Sequence, residues 1–179
     1  MRILAIILLF PVYAIGQTVD YDIPASGLIN MTINSGDFCV GFADHKPTGG
    51  GGQVWGITWT STNTNTPSSV TVNLVYADEP GDGPYPVTLN GNAESSFNPG
   101  FPSCGFGVHT FTVTPANYNP NAVNTLLIDN SANPGRTHLM AQFGFYSNGF
   151  ARVTVDYGGG LPIELNYFIA QPYENMVVF

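Results

Sequence analysis

The chain has 179 residues, of which only 9% are charged while 44% are hydrophobic and 13% aromatic. Against a soluble average of about 25% charged residues, that profile excludes a disordered chain, which needs low hydrophobicity and high net charge. Four basic residues against twelve acidic ones, a formal charge of −8, exclude the basic footprint of a nucleic-acid-binding protein.

Residues 1–16 read as a secretory signal peptide. Arg2 supplies a positive start, the apolar run 3–12 is broken only by Pro11, and Ala14-Ile15-Gly16 offers small residues for cleavage before Gln17. The run is well short of the ~20 residues needed to span a bilayer, so no membrane insertion is expected after signal removal. The expected location is secreted or cell-surface, and loss of Arg2 makes the mature chain more acidic still.

From residue 17 to residue 157 the dominant period is two. In chain order the strand candidates are 28–34, 54–60, 70–76, 85–90, 109–114, 125–129, 138–146 and 152–157. Val70, Val72, Leu74 and Tyr76 alternate with Thr71, Asn73 and Val75; His109, Phe111 and Val113 alternate with Thr110, Thr112 and Thr114; Val153, Val155 and Tyr157 alternate with Arg152, Thr154 and Asp156. One apolar face and one hydroxyl-rich or charged face is what a half-buried antiparallel strand requires. Asn, Gly and Pro clusters such as Asn90-Gly91 and Asn133-Pro134-Gly135 punctuate the strands. The fold class is all-β: an antiparallel, jelly-roll-like β-sandwich of about eight strands over residues 17–157.

Cys39 and Cys104 are the two cysteines. In an oxidising compartment they are expected to form a disulfide worth about 4 kcal/mol in the chain-entropy model. No nucleophile elbow, zinc-protease motif, P-loop or C-x-x-C pair is present, and the three histidines are isolated in sequence. No catalytic residues are assigned, and the chain is read as a non-enzyme.

Trp55, Trp59, Tyr76 and Tyr85 are the candidate ligand-binding residues. A flat aromatic can cover the C–H face of a sugar ring while neighbouring polar groups take its hydroxyls. Trp55 and Trp59 lie four apart and so share one face of a strand with Ile57, a spacing that suits a core more often than a platform. Tyr85, between Pro84 and Pro86, is expected at an exposed loop edge. Asp78, Glu79 and Asp82 form the densest acidic cluster, in a Gly-rich loop where backbone carbonyls could complete a structural calcium site; a solvated turn is the plainer reading. No other cofactor is expected.

Gly158-Gly159-Gly160 reads as a short linker, and residues 161–179 then change in character. Leu161-Pro162-Ile163-Glu164-Leu165, Phe168, Ala170, Glu174-Asn175, Val177 and Val178 resemble the opening of the small immunoglobulin/fibronectin-like domain of secreted Gram-negative proteins. In that family the domain commonly precedes a sorting domain for type IX secretion and continues through a Trp and further strands. Those are missing here, so the segment is read as a truncated β-hairpin, the start of a second domain in a fragment of a longer protein. The stretches 87–92, 114–119 and 151–157 resemble, more loosely, the galactose-binding-like β-sandwich modules of the same proteins.

That second resemblance implies a secreted, non-catalytic module for extracellular or cell-surface binding, with a glycan or surface polymer as partner and no nucleic acid. Two other readings stay open: an accessory or catalytic domain of a polysaccharide-degrading enzyme, and a structural spacer.

Overall fold

The computed structural model describes residues 16–35, 43–47, 54–77, 83–98, 106–131, 138–140 and 149–158. Twelve strands occur among them: β1 (Thr18–Ile23), β2 (Leu28–Ile29), β3 (Met31–Ser35), β4 (Ala43–Pro47), β5 (Val54–Thr60), β6 (Ser69–Ala77), β7 (Val87–Leu89), β8 (Asn92–Ala93), β9 (Phe106–Val113), β10 (Val123–Asp129), β11 (His138–Met140) and β12 (Ala151–Asp156). The helical content of the described residues is two three-residue 3-10 turns, Ala25–Gly27 and Pro115–Asn117. No helix there is long and apolar enough to cross a membrane. The chain is all-β, as its periodicity predicts.

All pairings are antiparallel and form two sheets. In the larger sheet β6 is the hub. One of its edges carries β9; the other carries β12 along residues 69–74 and β11 along residues 76–77. Outside β12 lies β1, and outside β11 lie β4 and then β3. The smaller sheet runs β2-β5-β10-β7-β8.

Four strands exceed the expected eight. Three of them, β1, β4 and β8, fall where no strand is predicted, and the expected strand 28–34 divides in two. The division has a local cause. Asn30 sits at φ 54°, in the left-handed region that Asn tolerates better than most residues, and its Nδ2 donates to the Val54 carbonyl at 2.9 Å. The chain therefore leaves the smaller sheet after Ile29 and enters the larger one at Met31.

The core lies between the sheets. Val70, Val72 and Leu74 of β6 and Ala151, Val153 and Val155 of β12 face Trp55, Ile57 and Trp59 of β5 and Leu126 and Ile128 of β10. Gly56 is fixed by close approach: a Cβ there would fall on the Leu126 carbonyl. On β9 the expected alternation holds, with Val113 buried and His109 and Phe111 half-buried on the inner face.

His109 packs edge-on against Phe97, ring centroids 4.5 Å apart at 88°. Burial lowers its pKa from 6.5, because desolvation penalises the imidazolium. Below about pH 6.5 the unfolded chain therefore binds a proton that the folded chain resists. Stability should fall as the pH drops from 6.5 towards the depressed folded value, and His109→Phe should flatten that slope. Chemical-denaturation midpoints of both proteins between about pH 5 and about pH 7.5, bracketing the transition, measure it. Equal slopes would exclude His109 as the cause.

Candidate functional site

The sequence-derived site residues scatter. Trp55 and Tyr85 are fully buried and Trp59 is 6% exposed. Tyr85 thus differs from its expected place at a loop edge. It forms a bridge with Phe97, each backbone N–H donating to the other's carbonyl at 2.7 and 2.8 Å, and the two rings stack at 6.2 Å. Although prolines flank it, the ring turns inward to meet Phe97. Burial removes Trp55 and Tyr85 from any surface platform in this conformation. Tyr76 lies on β6 opposite Gly107 and Leu139. Asp78, Glu79, Asp82, Cys39, Cys104 and the segment 161–179 lie outside the described residues. Among those that are described, no group of three or more His, Cys, Asp or Glu side chains could hold a metal ion.

One concavity combines aromatic, aliphatic and polar groups. It has a volume of about 670 Å³ and opens along the seam where β1, the edge of the larger sheet, passes β5 of the smaller one. One wall is Asp20, Tyr21, Asp22 and Ile23, and the other is Thr58, Trp59 and Thr60. Ser26 and Gly27 of the first 3-10 turn close one side, and Val123, 58% exposed, stands on the rim.

Both walls present backbone as well as side chains. The Tyr157 N–H donates to the Gln17 carbonyl at 3.0 Å, one step beyond the Thr18–Asp156 register pair. In an antiparallel ladder the bonded pairs alternate, so residues 19, 21 and 23 bond to β12 while Asp20 and Asp22 turn their N–H and C=O groups to the open edge. On the other wall the Ser61 N–H donates to the Ala122 carbonyl at 2.8 Å, beside the Thr60–Val123 pair. The same alternation directs the backbone groups of Thr58 and Thr60 away from β10, towards the seam.

The carboxylates are held rather than free. Arg152 grips Asp22 with two hydrogen bonds, Nε to Oδ1 at 2.7 Å and Nη2 to Oδ2 at 3.0 Å, and its Nη1 lies 3.6 Å from Asp20. The Thr154 hydroxyl donates to Asp20 Oδ1 at 2.7 Å. An exposed ion pair contributes little stability. Here its effect is to fix where the carboxylate oxygens point, which the bidentate geometry enforces.

Beneath the seam the phenols of Tyr21, Tyr118 and Tyr157 converge near Ser61, with the Tyr118 and Tyr157 hydroxyls 3.5 Å apart. Burial pushes Tyr118 and Tyr157 above the usual phenol range. Burial would raise Tyr21 as well, but the neighbouring Ser61, Tyr157 and Tyr118 hydroxyls bring it below its ordinary value. The Tyr21 hydroxyl is buried among those groups without a well-formed hydrogen bond. Trp59 packs against Tyr118 with ring centroids 6.4 Å apart. The floor is thus an aromatic layer, with Tyr21 and Trp59 at the groove.

Sequence reasoning missed most of this site. It singled out Trp59, and Asp20 and Asp22 as possible carboxylate donors with nothing to link them, but not Tyr21, Thr58, Thr60 or Val123. The alternation of Val19, Tyr21 and Ile23 with Asp20 and Asp22 was a strand signal that could have placed β1. Nothing in the sequence pairs that strand with residues 58–60.

No family model matches the chain, and no curated protein matches it. Among solved structures it is similar to the Podospora anserina GH26-CBM35 β-(1,4)-mannanase, at 17% identity and a TM-score of 0.47, over 81% of this chain and 29% of that one. It is also similar to a CBM35 from Paenibacillus barcinonensis, at 14% identity and a TM-score of 0.41, over 69% of this chain and 98% of that one. A Paenibacillus sp. cycloisomaltooligosaccharide glucanotransferase complexed with cycloisomaltoheptaose matches at 14% identity and a TM-score of 0.36, over 81% of this chain and 18% of that one. The chain therefore spans less than a third of the mannanase and less than a fifth of the glucanotransferase.

Proposed function

We propose that the chain is an exported, non-catalytic β-sandwich module that binds glycan in the groove between β1 and β5. One observation carries this reading: a single concavity of about 670 Å³ brings Tyr21, the mostly buried Trp59 and exposed Val123 together with the polar side chains of Asp20, Asp22, Thr58 and Thr60. A sugar has an apolar C–H face and a ring of hydroxyls that both donate and accept. The apolar groups suit the face, and alternating N–H, C=O, hydroxyl and carboxylate groups suit the hydroxyls. Export through residues 1–16, a Cys39–Cys104 disulfide, calcium at Asp78, Glu79 and Asp82, and membership of a longer type IX-associated protein belong to the same proposal and rest on the sequence alone.

Val123 offers a clean test because it is exposed and bears little of the core. Val123→Asp should leave the unfolding midpoint unchanged and weaken glycan retention about tenfold, the equivalent of one aliphatic side chain withdrawn from contact. Affinity electrophoresis against mannan, xylan, glucan and galactan measures the retention. If the unsubstituted protein is retained by none of them, or if Val123→Asp is retained equally well, the groove is not a glycan site.

A further inference from the structure

We infer that the groove is longer than its main concavity and holds an internal stretch of a linear, uncharged glycan rather than a chain end or a single sugar. This rests on the glycan-binding reading of the seam and specifies its ligand. A second concavity of about 310 Å³ is lined by Gln17, Val19, Thr62, Asn63, Thr64 and Asn65. On one wall Gln17 and Val19 precede Asp20–Ile23 of the first concavity; on the opposite wall Thr62–Asn65 follow Thr58–Thr60 after Ser61. The order is kept on both walls, so the two hollows lie end to end along one seam. At ~3.3 Å per strand residue, residues 17 to 23 give it a length of about 20 Å.

The lining is as informative as the length. The second hollow has amides and hydroxyls and no ionisable side chain. Asn63 is aimed by its surroundings: its Oδ1 accepts the Asn65 N–H at 2.9 Å, its carbonyl accepts the Asn121 N–H at 2.7 Å, and its Nδ2 reaches across to Gln17 Oε1 at 3.1 Å. That last hydrogen bond spans the seam between exposed side chains. Such a bond is worth little net in water and exchanges readily for sugar hydroxyls. In the first hollow the charged side chains are Asp20 and Asp22, and the adjacent cation, Arg152, is already engaged by both. A carboxylate-bearing sugar would meet like charge in this hollow, where among the described residues no further basic side chain lines the wall.

Calorimetric titration with mannan, xylan and cellulose oligomers, from the monosaccharide to the hexasaccharide, tests the inference, with galacturonate oligomers alongside. Affinity for the matching neutral series should rise more than about tenfold between disaccharide and hexasaccharide as added units reach the second hollow. The double substitution Thr64→Ala with Asn65→Ala should weaken the hexasaccharide about threefold to tenfold and leave the disaccharide unchanged. A neutral series that binds with no dependence on length overturns the extended groove while glycan binding stands. Galacturonate oligomers bound as tightly as neutral ones overturn the uncharged ligand. Failure of every oligomer to bind, together with no retention on the polymers, removes the glycan reading and this inference with it.

Discussion

Replacing Phe97 with alanine is expected to destabilise the sandwich by about 3–5 kcal/mol, the range for deleting a large buried aromatic. The residue lies in an irregular stretch, yet none of it is exposed. Its ring stacks on Tyr85, meets His109 edge-on and lies 5.8 Å from Phe111. Those partners come from separate segments, so the void left by Ala cannot close by a small shift of one strand. The backbone bridge to Tyr85 does not require the ring and should survive. The loss should therefore appear as a lower denaturation midpoint with an unchanged slope. A loss below about 1 kcal/mol would mean that the ring is a lid over the core and not part of it.

Asn124→Ala should cost about 2–4 kcal/mol, although it removes no apolar surface of consequence. Asn124 is fully buried on β10 and uses both ends of its amide. Its Oδ1 accepts from the Asn119 N–H at 2.8 Å and from Asn90 Nδ2 at 2.9 Å. Its Nδ2 donates to the carbonyls of Asn119 at 2.9 Å and Ala122 at 3.3 Å. Alanine would strand the Asn119 N–H and leave part of the carbonyl capacity unfilled. Asn90 has its own support from the network, donating to the Asn117 carbonyl at 2.7 Å and accepting the Thr125 N–H at 2.9 Å, which holds it at φ 52°. Asn124→Asp should be no rescue at neutral pH, because a carboxylate accepts but cannot donate to the two carbonyls. Thermal unfolding of both variants, with equal losses in Ala and Asp, checks the donor half of the network. Full stability of Asp would refute it.

The strand faces were legible wherever burial follows period two. Val70, Val72 and Leu74 on β6 and Val153 and Val155 on β12 point inward as their spacing predicts. The core role of Trp55, Ile57 and Trp59 follows from the same rule. The rest depends on contacts between distant residues, which a local period does not encode. Tyr85 is buried because Phe97 arrives from twelve residues away through a single bridge. β4, Ala43–Pro47, carries no apolar alternation and is a strand because β3 and β11 flank it. The groove is the extreme case. Its walls are residues 20–23, on an edge strand of one sheet, and 58–60, at the end of β5 in the other, and no spacing in the chain announces that they meet.

Among the described residues no strand pairs with the outer edge of β1, which bears on how the protein stays dispersed. An unpaired strand edge is a template for pairing with another copy, and charge placed on the edge itself opposes that pairing more directly than the chain's overall negative charge. Of its twelve acidic residues, two alternate along this one edge strand, and Arg152 with Thr154 holds them in place. A second β1 laid alongside in antiparallel register would bring carboxylates against carboxylates. Asp20 and Asp22 thus give the edge a guard against self-association, in the same place where a sugar chain could lie without forming a ladder.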